Sequence, residues 1–367
     1  MLKHVRQLVL IAAINFATGH SPAMVHHRGG TTDGFASAIA AHAGHSTLSI
    51  LTYNVKGLPW PVAAGRQEAI DAIGNRLAEF RRSDRQPDVI ALQEAFGDTA
   101  TQIASRAGYR HIAFGPSAEQ PAGYRFGRAL SRDWSRGEGI GKSLNSGLAI
   151  LSDYPIASVE TLAFGDQACA GFDCLANKGI MKVALSLPGR EAAVQIFNTH
   201  LNSRKASGVS VGKSNLALRR QLLIAARFVR DHADMAMPVI IAGDFNIGTD
   251  RSRRIALFQL SASNHDLGFI RLENAAAASS LARGLVPRAT EHADLAAAVK
   301  RSKDLVFFSA VRPVAASVPF GTTPDGSSLS DHIGYRIDFA VVPERTKTPI
   351  HIAQNLDGPE ERKGLLP

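Results

Sequence analysis

Asp244 and Asn246 follow an apolar segment in the sequence VIIAGDFNIG, residues 239 to 248. Side chains alternate along an extended chain, so these two polar groups point to one side while Phe245 points to the other. Two polar side chains aimed together at a strand end could form part of a ligand site. A turn is the alternative, since Asp, Asn and Gly are all common in turns.

Other polar side chains occupy similar positions, at the ends or starts of apolar segments. Asn54 and Glu94 each end one such segment, and His200 and Asn202 end another, again two residues apart. The remaining members of this set are Asp304, Asp331 and His332. Loops at strand ends are where folds commonly place chemistry. If neighbouring strands bring these ends together, the side chains form one polar cluster.

The residue types of this cluster indicate a class of chemistry. Carboxylate and amide oxygens suit hard cations such as Mg²⁺ or Mn²⁺, and a histidine beside aspartates can serve in acid, base or phosphate-charge roles. Together these parts predict attack of water on a phosphoester. The sequence contains no G-x-S-x-G, Walker P-loop or H-E-x-x-H motif, and no G-x-G-x-x-G after a strand, so no other catalytic class competes.

The spacing of apolar residues predicts the elements that position the cluster. Strands are predicted at 47–55, 87–94, 146–156, 178–187, 193–201, 238–245, 304–311 and 333–342, and helices at 66–82 and about 214–232. Strands outnumber helices, which indicates α+β or mixed α/β layers instead of a simple βαβ repeat. We find no internal repeat and no clean break, so residues 47–345 are predicted to form one catalytic domain.

Both ends of the chain differ from this domain. Residues 1–23 have the layout of a secretory signal peptide, because Lys3 and Arg6 precede a short apolar run that is followed by small residues. Residues 24–46, rich in His, Gly, Ala and Ser, are predicted to be a disordered linker, and residues 346–367 a polar tail. We therefore expect a secreted or periplasmic protein.

Cysteine usage and charge add two further expectations. Cys169 and Cys174 are the only cysteines, and we expect a disulfide if the protein is exported and two free thiols if it is not. The formal net charge of +9 at pH 7 favours anionic partners. Nucleic acid, phosphate esters and anionic lipid surfaces all meet that description.

Six motifs, in this order, resemble those of the endonuclease/exonuclease/phosphatase superfamily. They are TYNVKGL, IALQEAF, NSGLAILSDYPI, FNTHLNS, IIAGDFN and LSDH. The superfamily includes deoxyribonuclease I-like nucleases, inositol polyphosphate 5-phosphatases and bacterial neutral sphingomyelinases. The resemblance covers about residues 47–343. It implies a four-layered α/β sandwich, with two packed mixed β-sheets and outer helices, and phosphoester hydrolysis that depends on Mg²⁺ or Mn²⁺.

The resemblance also implies which residues bind the metal and the substrate. Glu94 would ligate the metal, Asn54 would bind metal or phosphate, and Asp331 would support the metal site through water. His200 and Asn202 would contact the phosphate.

For the reaction itself, the resemblance implies that Asp244 and Asn246 position or activate the attacking water. His332, oriented by Asp304, would act on the phosphate or as the base, and the division of base duty with Asp244 stays open. One departure matters: a motif like R-I-D-Y-I precedes S-D-H in the family, whereas here RIDFAVV, with Asp338, follows it. Because SKDLVFF occupies the expected place, we assign the orienting role to Asp304.

The substrate class rests on a smaller signal. The tripeptide Asn177-Lys178-Gly179 at a strand start is similar to one in the sphingomyelinase-like and inositol-phosphatase branches, where Lys178 could bind the phosphate. With the signal peptide, it favours a sphingomyelinase-like phospholipid phosphodiesterase. A secreted deoxyribonuclease I-like endonuclease, which the charge favours, and an inositol or sugar-phosphate phosphatase are the alternatives.

A lipid substrate also requires contact with a membrane surface. Trp60 follows the first motif, and a second segment holds aromatic residues among arginines: Tyr124, Arg125, Phe126, Arg128, Arg132, Trp134 and Arg136. Such a combination suits a lipid interface, and nearly as well a nucleic-acid groove. We expect transient membrane-surface contact, a monomer and no obligate protein partner.

Overall fold

The computed structural model describes residues 47–59, 62–126, 131–188, 194–262, 273–274, 289–323 and 326–341. The strands are β1 (Thr47–Asn54), β2 (Val89–Gln93), β3 (His111–Phe114), β4 (Ala149–Ser152), β5 (Ile156–Ala163), β6 (Gly179–Leu185), β7 (Val194–His200), β8 (Val239–Asp244), β9 (Glu273–Asn274), β10 (Asp304–Ser309), β11 (Arg312–Phe320) and β12 (Gly334–Ala340). The helices are α1 (Arg66–Arg82), α2 (Thr99–Ala107), α3 (Val211–His232), α4 (Arg251–Ala262) and α5 (Ala289–Arg301).

The strands form two six-stranded mixed sheets. The first sheet has the order β11-β12-β1-β2-β4-β3, and the second has the order β5-β6-β7-β8-β10-β9. β1 and β2 are parallel, and so are β7 and β8, so each pair ends at one edge of its sheet. β12 runs antiparallel to β1, and β10 runs antiparallel to β8. Their first residues therefore lie at the same edge as the ends of β1 and β8.

Three apolar clusters hold the layers together. One lies between the sheets and includes Ile50 of the first sheet and Val183 of the second, both without solvent exposure. The second joins the outer face of the first sheet to α1 and α2, and the third joins the outer face of the second sheet to α3 and α4. The order of layers is thus helix, sheet, sheet, helix. This confirms the predicted four-layered α/β sandwich.

Most predicted elements occur within a few residues of their predicted bounds, and α1 matches over its full length. The prediction of one strand over 146–156 is wrong. The segment turns at Asp153 and Tyr154, so β4 belongs to the first sheet and β5 begins the second. The strands β3, β9 and β11 lie outside the predicted segments. Pro313 and Pro319 interrupt the strand pattern of β11, which tolerates them as an edge strand of the first sheet. The helices α2, α4 and α5 were also not predicted.

Several predicted features lie outside the described residues. These are the signal peptide at 1–23, the linker at 24–46, the tail at 346–367, Trp60 and Arg128. Among the residues that are described, no helix combines the length and apolar character that a membrane crossing needs.

Candidate active site

The candidate active site lies where the carboxyl ends of β1, β2, β7 and β8 meet. Asn54, His200 and Asp244 are the last residues of β1, β7 and β8, and Glu94 directly follows β2. The backbone of Glu94 is left-handed, with a φ of 51°. A non-glycine residue seldom adopts this conformation, and such residues concentrate at functional sites.

Close packing against β7 explains why the GDFN motif begins with glycine. Gly243 has a φ of 151°, and a β-carbon there would lie 2.1 Å from the carbonyl oxygen of Thr199 on β7. Glycine alone lets the two strands approach this closely just before they end. The backbone at Gly243 therefore helps to set the distance between His200 and Asp244.

A buried hydrogen-bond network joins the two sheets directly behind the site. Gln93 Nε2 donates to Asn198 Oδ1 at 2.8 Å. Asn198 Nδ2 in turn donates to the carbonyl oxygens of Leu92 and Ala149, at 2.8 and 3.1 Å. Buried polar groups with such partners specify one arrangement of the elements they join. The network thus fixes β2 of the first sheet against β7 of the second.

Asp244 is at the centre of the polar cluster. Its Oδ1 accepts a hydrogen bond from the backbone N–H of Asn246 at 2.9 Å. Its Oδ2 accepts one from Asn54 Nδ2 at 3.1 Å, and lies 3.5 Å from His200 Nε2 and 3.7 Å from His332 Nε2. One carboxylate oxygen therefore faces both histidines.

His332 is held by Asp304 on the side opposite Asp244. The Nδ1 of His332 lies 2.8 Å from each carboxylate oxygen of Asp304. Burial alone would lower the pKa of His332, but Asp304 and Asp244 more than offset this and raise it to about 9. His332 is therefore positively charged at neutral pH. Asp338, the other candidate for orienting it, pairs instead with Arg336 on β12.

His200 has the opposite electrostatic environment. Lys178 Nζ lies 3.1 Å from its Nε2, and burial together with this ammonium holds the pKa of His200 well below its usual value. An ammonium can only donate, so Nε2 must accept and the single ring proton of neutral His200 lies on Nδ1. Lys178 also contacts the carbonyl oxygen of Leu201 at 3.1 Å and Asp173 Oδ2 at 3.2 Å. With three partners already, Lys178 would contact a phosphate only by releasing one.

The oxygen donors of the cluster fit a hard cation. Asn54 Nδ2 bridges Glu94 Oε1 at 3.0 Å and Asp244 Oδ2 at 3.1 Å. Burial raises the pKa of Asp244 to about 6; His332 opposes this increase, whereas Asp304 and Glu94 add to it. A divalent cation beside the oxygens would offset the repulsion between these carboxylates, and carboxylate oxygens are the donors that Mg²⁺ prefers. The residues present therefore fit a magnesium or manganese ion held by Glu94 beside Asp244.

The side chains around this pair are less suited to bind metal. Glu94, His200 and Asp244 offer ligand atoms within 4.8 Å of one another, and so do Asp244, Asp304 and His332. In the first group, however, Lys178 already occupies His200 Nε2. In the second, Asp304 and Asp244 keep the His332 ring protonated, so its Nε2 has no free lone pair at neutral pH.

Asn54 is oriented by its own loop. Its Oδ1 accepts the backbone N–H of Lys56 at 3.0 Å, which leaves Nδ2 pointing toward the carboxylates of Glu94 and Asp244. Asn54 would donate to a phosphate oxygen only by releasing one of these carboxylates, and would bind a metal through Oδ1 only by releasing Lys56. Both roles stay predictions.

Asn202 and Asn246 bond mainly to the backbone of the loops. Asn202 is fully buried, its Oδ1 accepts the N–H of Ala170 at 2.9 Å, and its Nδ2 donates to the carbonyl of Ser203 at 2.9 Å. Asn246 Nδ2 donates to the carbonyl of Leu201 at 3.0 Å. The geometry thus gives both residues a part in shaping the site, and the phosphate contact of Asn202 stays a prediction.

Arg253 was not singled out from the sequence, where it is one arginine in DRSRR. It is 1% exposed. Its Nη1 donates to the carbonyl oxygens of Asn202 at 2.8 Å and Asn246 at 2.7 Å, and burial lowers its pKa to about 10. Arg253 thereby ties together the loops that follow His200 and Asp244.

The loop that carries His332 is fixed in a similar way. Ser330 Oγ donates to the carbonyl of Asn54 at 2.7 Å, and Arg66 donates to the carbonyl oxygens of Val55 and Leu329. Asp331 lies apart from the cluster, because its side chain is 60% exposed and faces Lys56 Nζ at 3.6 Å. A water-mediated role at the metal site stays a prediction for Asp331.

Comparison with known proteins agrees with this geometry. Residues 51–355 match the sequence pattern of the Endonuclease/Exonuclease/phosphatase family. The chain belongs to this family. Its members are hydrolases that act on phosphoesters, so the chain has a phosphoesterase fold with candidate metal ligands at the expected strand ends. A comparison with curated proteins finds no significant match.

Solved structures share the fold of this endonuclease/exonuclease/phosphatase family member at low sequence identity. Beta toxin from Staphylococcus aureus is 17% identical, with a TM-score of 0.53, over 79% of this chain and 99% of that chain. Sphingomyelinase C from Streptomyces griseocarneus is 18% identical, with a TM-score of 0.50, over 80% and 99%. The human Nocturnin catalytic domain is 17% identical, with a TM-score of 0.50, over 80% and 94%.

Proposed function

We propose that the protein is a metal-dependent phosphodiesterase of the sphingomyelinase type, which cleaves the head group from a phospholipid. The observation that carries the hydrolytic part is the position of Asp244, whose one oxygen faces a neutral histidine and a charged histidine. Such a site offers a proton acceptor beside a fixed positive charge. These are the two features that attack of water on a phosphodiester requires.

Glu94 is the residue that would hold the metal, beside Asp244, and we propose Mg²⁺. In support, a mutant of the Staphylococcus aureus beta toxin, which shares the fold at a TM-score of 0.52, was solved with bound magnesium ions. A bound divalent ion supplies charge that stabilises the phosphoryl oxygens. Asn54 Nδ2, between the two carboxylates, would donate to the same phosphate by releasing one of them.

The proton of the attacking water passes to Asp244 in this proposal. The water oxygen bonds to phosphorus as the bond to the leaving oxygen breaks. His332 is a poor base because Asp304 and Asp244 keep it protonated at neutral pH. Its imidazolium would instead stabilise negative charge on the phosphoryl oxygens. This assigns the base duty that the sequence left open.

The lipid part of the proposal rests on an exposed aromatic residue. The side chain of Trp134 is 65% exposed. Trp134 begins a short 3-10 helix, Trp134–Arg136. The guanidinium of Arg136 lies over the ring of Phe172. The next residue, Asp173, pairs with Lys178 of the active site. A tryptophan beside arginine is suited to the interface of a membrane. That one of the proteins sharing this fold is a sphingomyelinase C is consistent with a lipid substrate.

Location and assembly complete the proposal. Cys169 and Cys174 form a disulfide, which suits an oxidising compartment. We therefore propose export to the periplasm or the medium, with the protein acting as a monomer that contacts membranes transiently.

A secreted nuclease is the second candidate, because the net charge of +9 favours a polyanion. The test is a parallel assay of the purified protein with Mg²⁺ on sphingomyelin vesicles, plasmid DNA and a soluble inositol phosphate. The Asp244→Asn variant serves as the inactive control. Release of phosphocholine from vesicles alone supports the proposal. DNA nicking without lipid turnover, or hydrolysis of the inositol phosphate alone, would replace it with the corresponding alternative.

A further inference from the structure

A wide cleft lies between α1 and the edge strand β11, on the outer face of the first sheet. Its volume is about 980 Å³, which is enough for an organic ligand. The residues that line it belong to α1, the turn after α1, β11, β12 and the loop between those two strands. The reaction proposed above uses none of their side chains.

Three arginines without a carboxylate partner border this cleft. Arg76 and Arg82 are on α1, and Arg85 is in the turn that follows it. In the part of the chain that the structure describes, none of the three forms an ion pair. Glu79 is the only carboxylate among the described lining residues. Positive charge therefore exceeds negative charge around the cleft, and a concave surface of one sign attracts ligands of the other sign.

Aromatic rings hold two of these arginines in place. The guanidinium carbon of Arg76 lies 5.9 Å from the centre of the Phe80 ring and 5.6 Å from that of Phe320. That of Arg85 lies 5.4 Å from the Phe80 ring. A guanidinium that rests on a ring keeps the N–H groups at its edges available, and arginine binds phosphate through those groups. Because the side chains are already ordered, binding an anion costs less entropy.

The turn that carries Arg85 is fixed by the protein itself. The N–H of Arg85 donates to the carbonyl of Phe80 at 2.8 Å, and Arg336 Nη1 donates to the carbonyl of Arg85 at 2.7 Å. Arg336 also lines the cleft, but its charge is paired with Asp338 at 2.5 Å. Arg336 therefore holds the turn, whereas the charge of Arg85 remains available.

The more buried part of the lining, which we call the floor, is apolar. It consists of Phe80, Val318, Pro319 and Leu329, and Val318 is only 7% exposed. Arg82 and Arg85 are exposed at the rim. An inorganic anion would leave the floor without a partner. Arginines above an apolar floor suit a ligand that carries an anionic group on an apolar body.

We propose that this cleft is a second ligand site, which binds a phosphate monoester with an apolar body. The phosphate accepts hydrogen bonds from Arg76, Arg82 and Arg85, and the apolar body lies on the floor. A lipid in a membrane and a short-chain ester in solution share this chemistry. The site is independent of the proposed function, because no metal and no residue of the catalytic cluster takes part in it.

Isothermal titration calorimetry with dihexanoyl phosphatidic acid, below its micellar concentration and with EDTA to strip the active-site metal, tests the proposal. We expect wild type to bind with a Kd on the order of tens of micromolar. The variant with Arg76→Gln, Arg82→Gln and Arg85→Gln should bind at least about tenfold more weakly. No binding by wild type at about 1 mM ligand would overturn the proposal.

The matched control loses the same charge from another surface. It combines Arg219→Gln, Arg227→Gln and Arg251→Gln, which replace exposed arginines of α3 and α4 outside the cleft. It should bind like wild type, and equal weakening of both triple variants would overturn the site. Thermal unfolding of each variant checks the fold. If the first triple variant unfolds, Arg82→Gln with Arg85→Gln replaces it and leaves Arg76 on its rings.

Three further ligands test the assigned chemistry. Inorganic phosphate lacks the apolar body, and dihexanoyl phosphatidylcholine lacks the net charge, so each should bind at least about tenfold more weakly than phosphatidic acid. Equal affinity for either would overturn the assignment. Tighter, arginine-dependent binding of a single-stranded oligonucleotide would replace it with nucleic acid.

Co-sedimentation with phosphatidylcholine vesicles that contain phosphatidic acid distinguishes the two sources of the ligand. Sedimentation that is lost in the cleft variant and kept in the control variant would support the site and assign it to a membrane lipid. Binding of the soluble ester without such sedimentation would support the site and assign it to esters in solution. Because binding is measured without metal, its outcome is separate from whether the protein hydrolyses a phosphoester.

Discussion

The two histidines of the site lie on either side of one carboxylate oxygen, yet the protein keeps them in opposite charge states. His332 contacts Asp304 and faces Asp244, and these carboxylates raise its pKa to about 9. His200 contacts Lys178, and burial with that ammonium keeps its pKa well below the usual value. Both rings are buried to a similar extent. Burial therefore does not distinguish them, and the partner behind each ring does.

This contrast divides the site into two halves with separate supports. The His332 half depends on Asp304 and on Ser330, which connects its loop to the end of β1. The His200 half depends on Lys178, Asp173 and the disulfide loop. A change in the support of one half should alter that half and leave the other close to normal.

The largest effect should follow removal of the charged ring. His332→Gln eliminates the imidazolium, so we expect kcat/KM to fall roughly 10³-fold. His200→Gln retains a neutral acceptor for Lys178 and should lose only about tenfold. Steady-state kinetics of both variants test the asymmetry. His232→Gln, on the outer helix α3, is the control, and equal losses at His332 and His200 would show that the charge states do not matter.

Arg253→Met should have the next largest effect, and it should act on stability. The substitution leaves the carbonyl oxygens of Asn202 and Asn246 without their donor, at a cost of roughly 3 kcal/mol in the free energy of unfolding. Urea denaturation measures this quantity. Arg254→Met is the matched control, because the Arg254 side chain is exposed and donates to the carbonyl of Gly248 at 3.0 Å without contacting Asn202 or Asn246 among the described residues. A loss below about 1 kcal/mol would mean that Arg253 does not tie the two loops together.

Asp304→Asn should shift the pH dependence of activity. Because the pKa of His332 is raised, its protonated form persists up to about pH 9 in wild type, and activity should fall as pH rises through that value. Without Asp304 the pH at which activity falls, the alkaline limb of the profile, should move from about 9 toward about pH 6.5. The rate at pH 8 should then drop roughly 30-fold. The profile of kcat/KM against pH measures this. Asp338→Asn should leave the limb unchanged, and an unshifted limb in Asp304→Asn would mean that another group sets it.

The smallest effect should come from Cys169→Ser combined with Cys174→Ser. A loop this short restricts the unfolded chain only modestly, so we expect a loss of about 2 kcal/mol in stability. Activity should fall a few-fold through the His200 half, because Asp173 is held less firmly. The alkaline limb near pH 9 should stay in place, since His332 is unaffected. A shifted limb would show that the two halves are not independent.

Much of the fold followed from local patterns. Ile70, Ile73 and Leu77 have helical spacing and are all buried in α1. The motifs at strand ends predicted which residues could meet. The prediction failed where local pattern and tertiary role differ: β11 contains two prolines that an edge strand tolerates, and β4 and β5 read as one strand although they belong to different sheets.

The sequence by itself determined the types of catalytic group and their attachment to strand ends, because alternation along a strand and turn chemistry are local properties. Only the tertiary structure decided the charge state of each histidine, because that depends on partners distant in sequence. Asp304 precedes His332 by 28 residues, and Lys178 precedes His200 by 22. It also decided which arginine of DRSRR is buried, since that choice depends on the position of two loops beyond the helix. Electrostatic environment and burial come from the whole fold, and the sequence specifies them only through it.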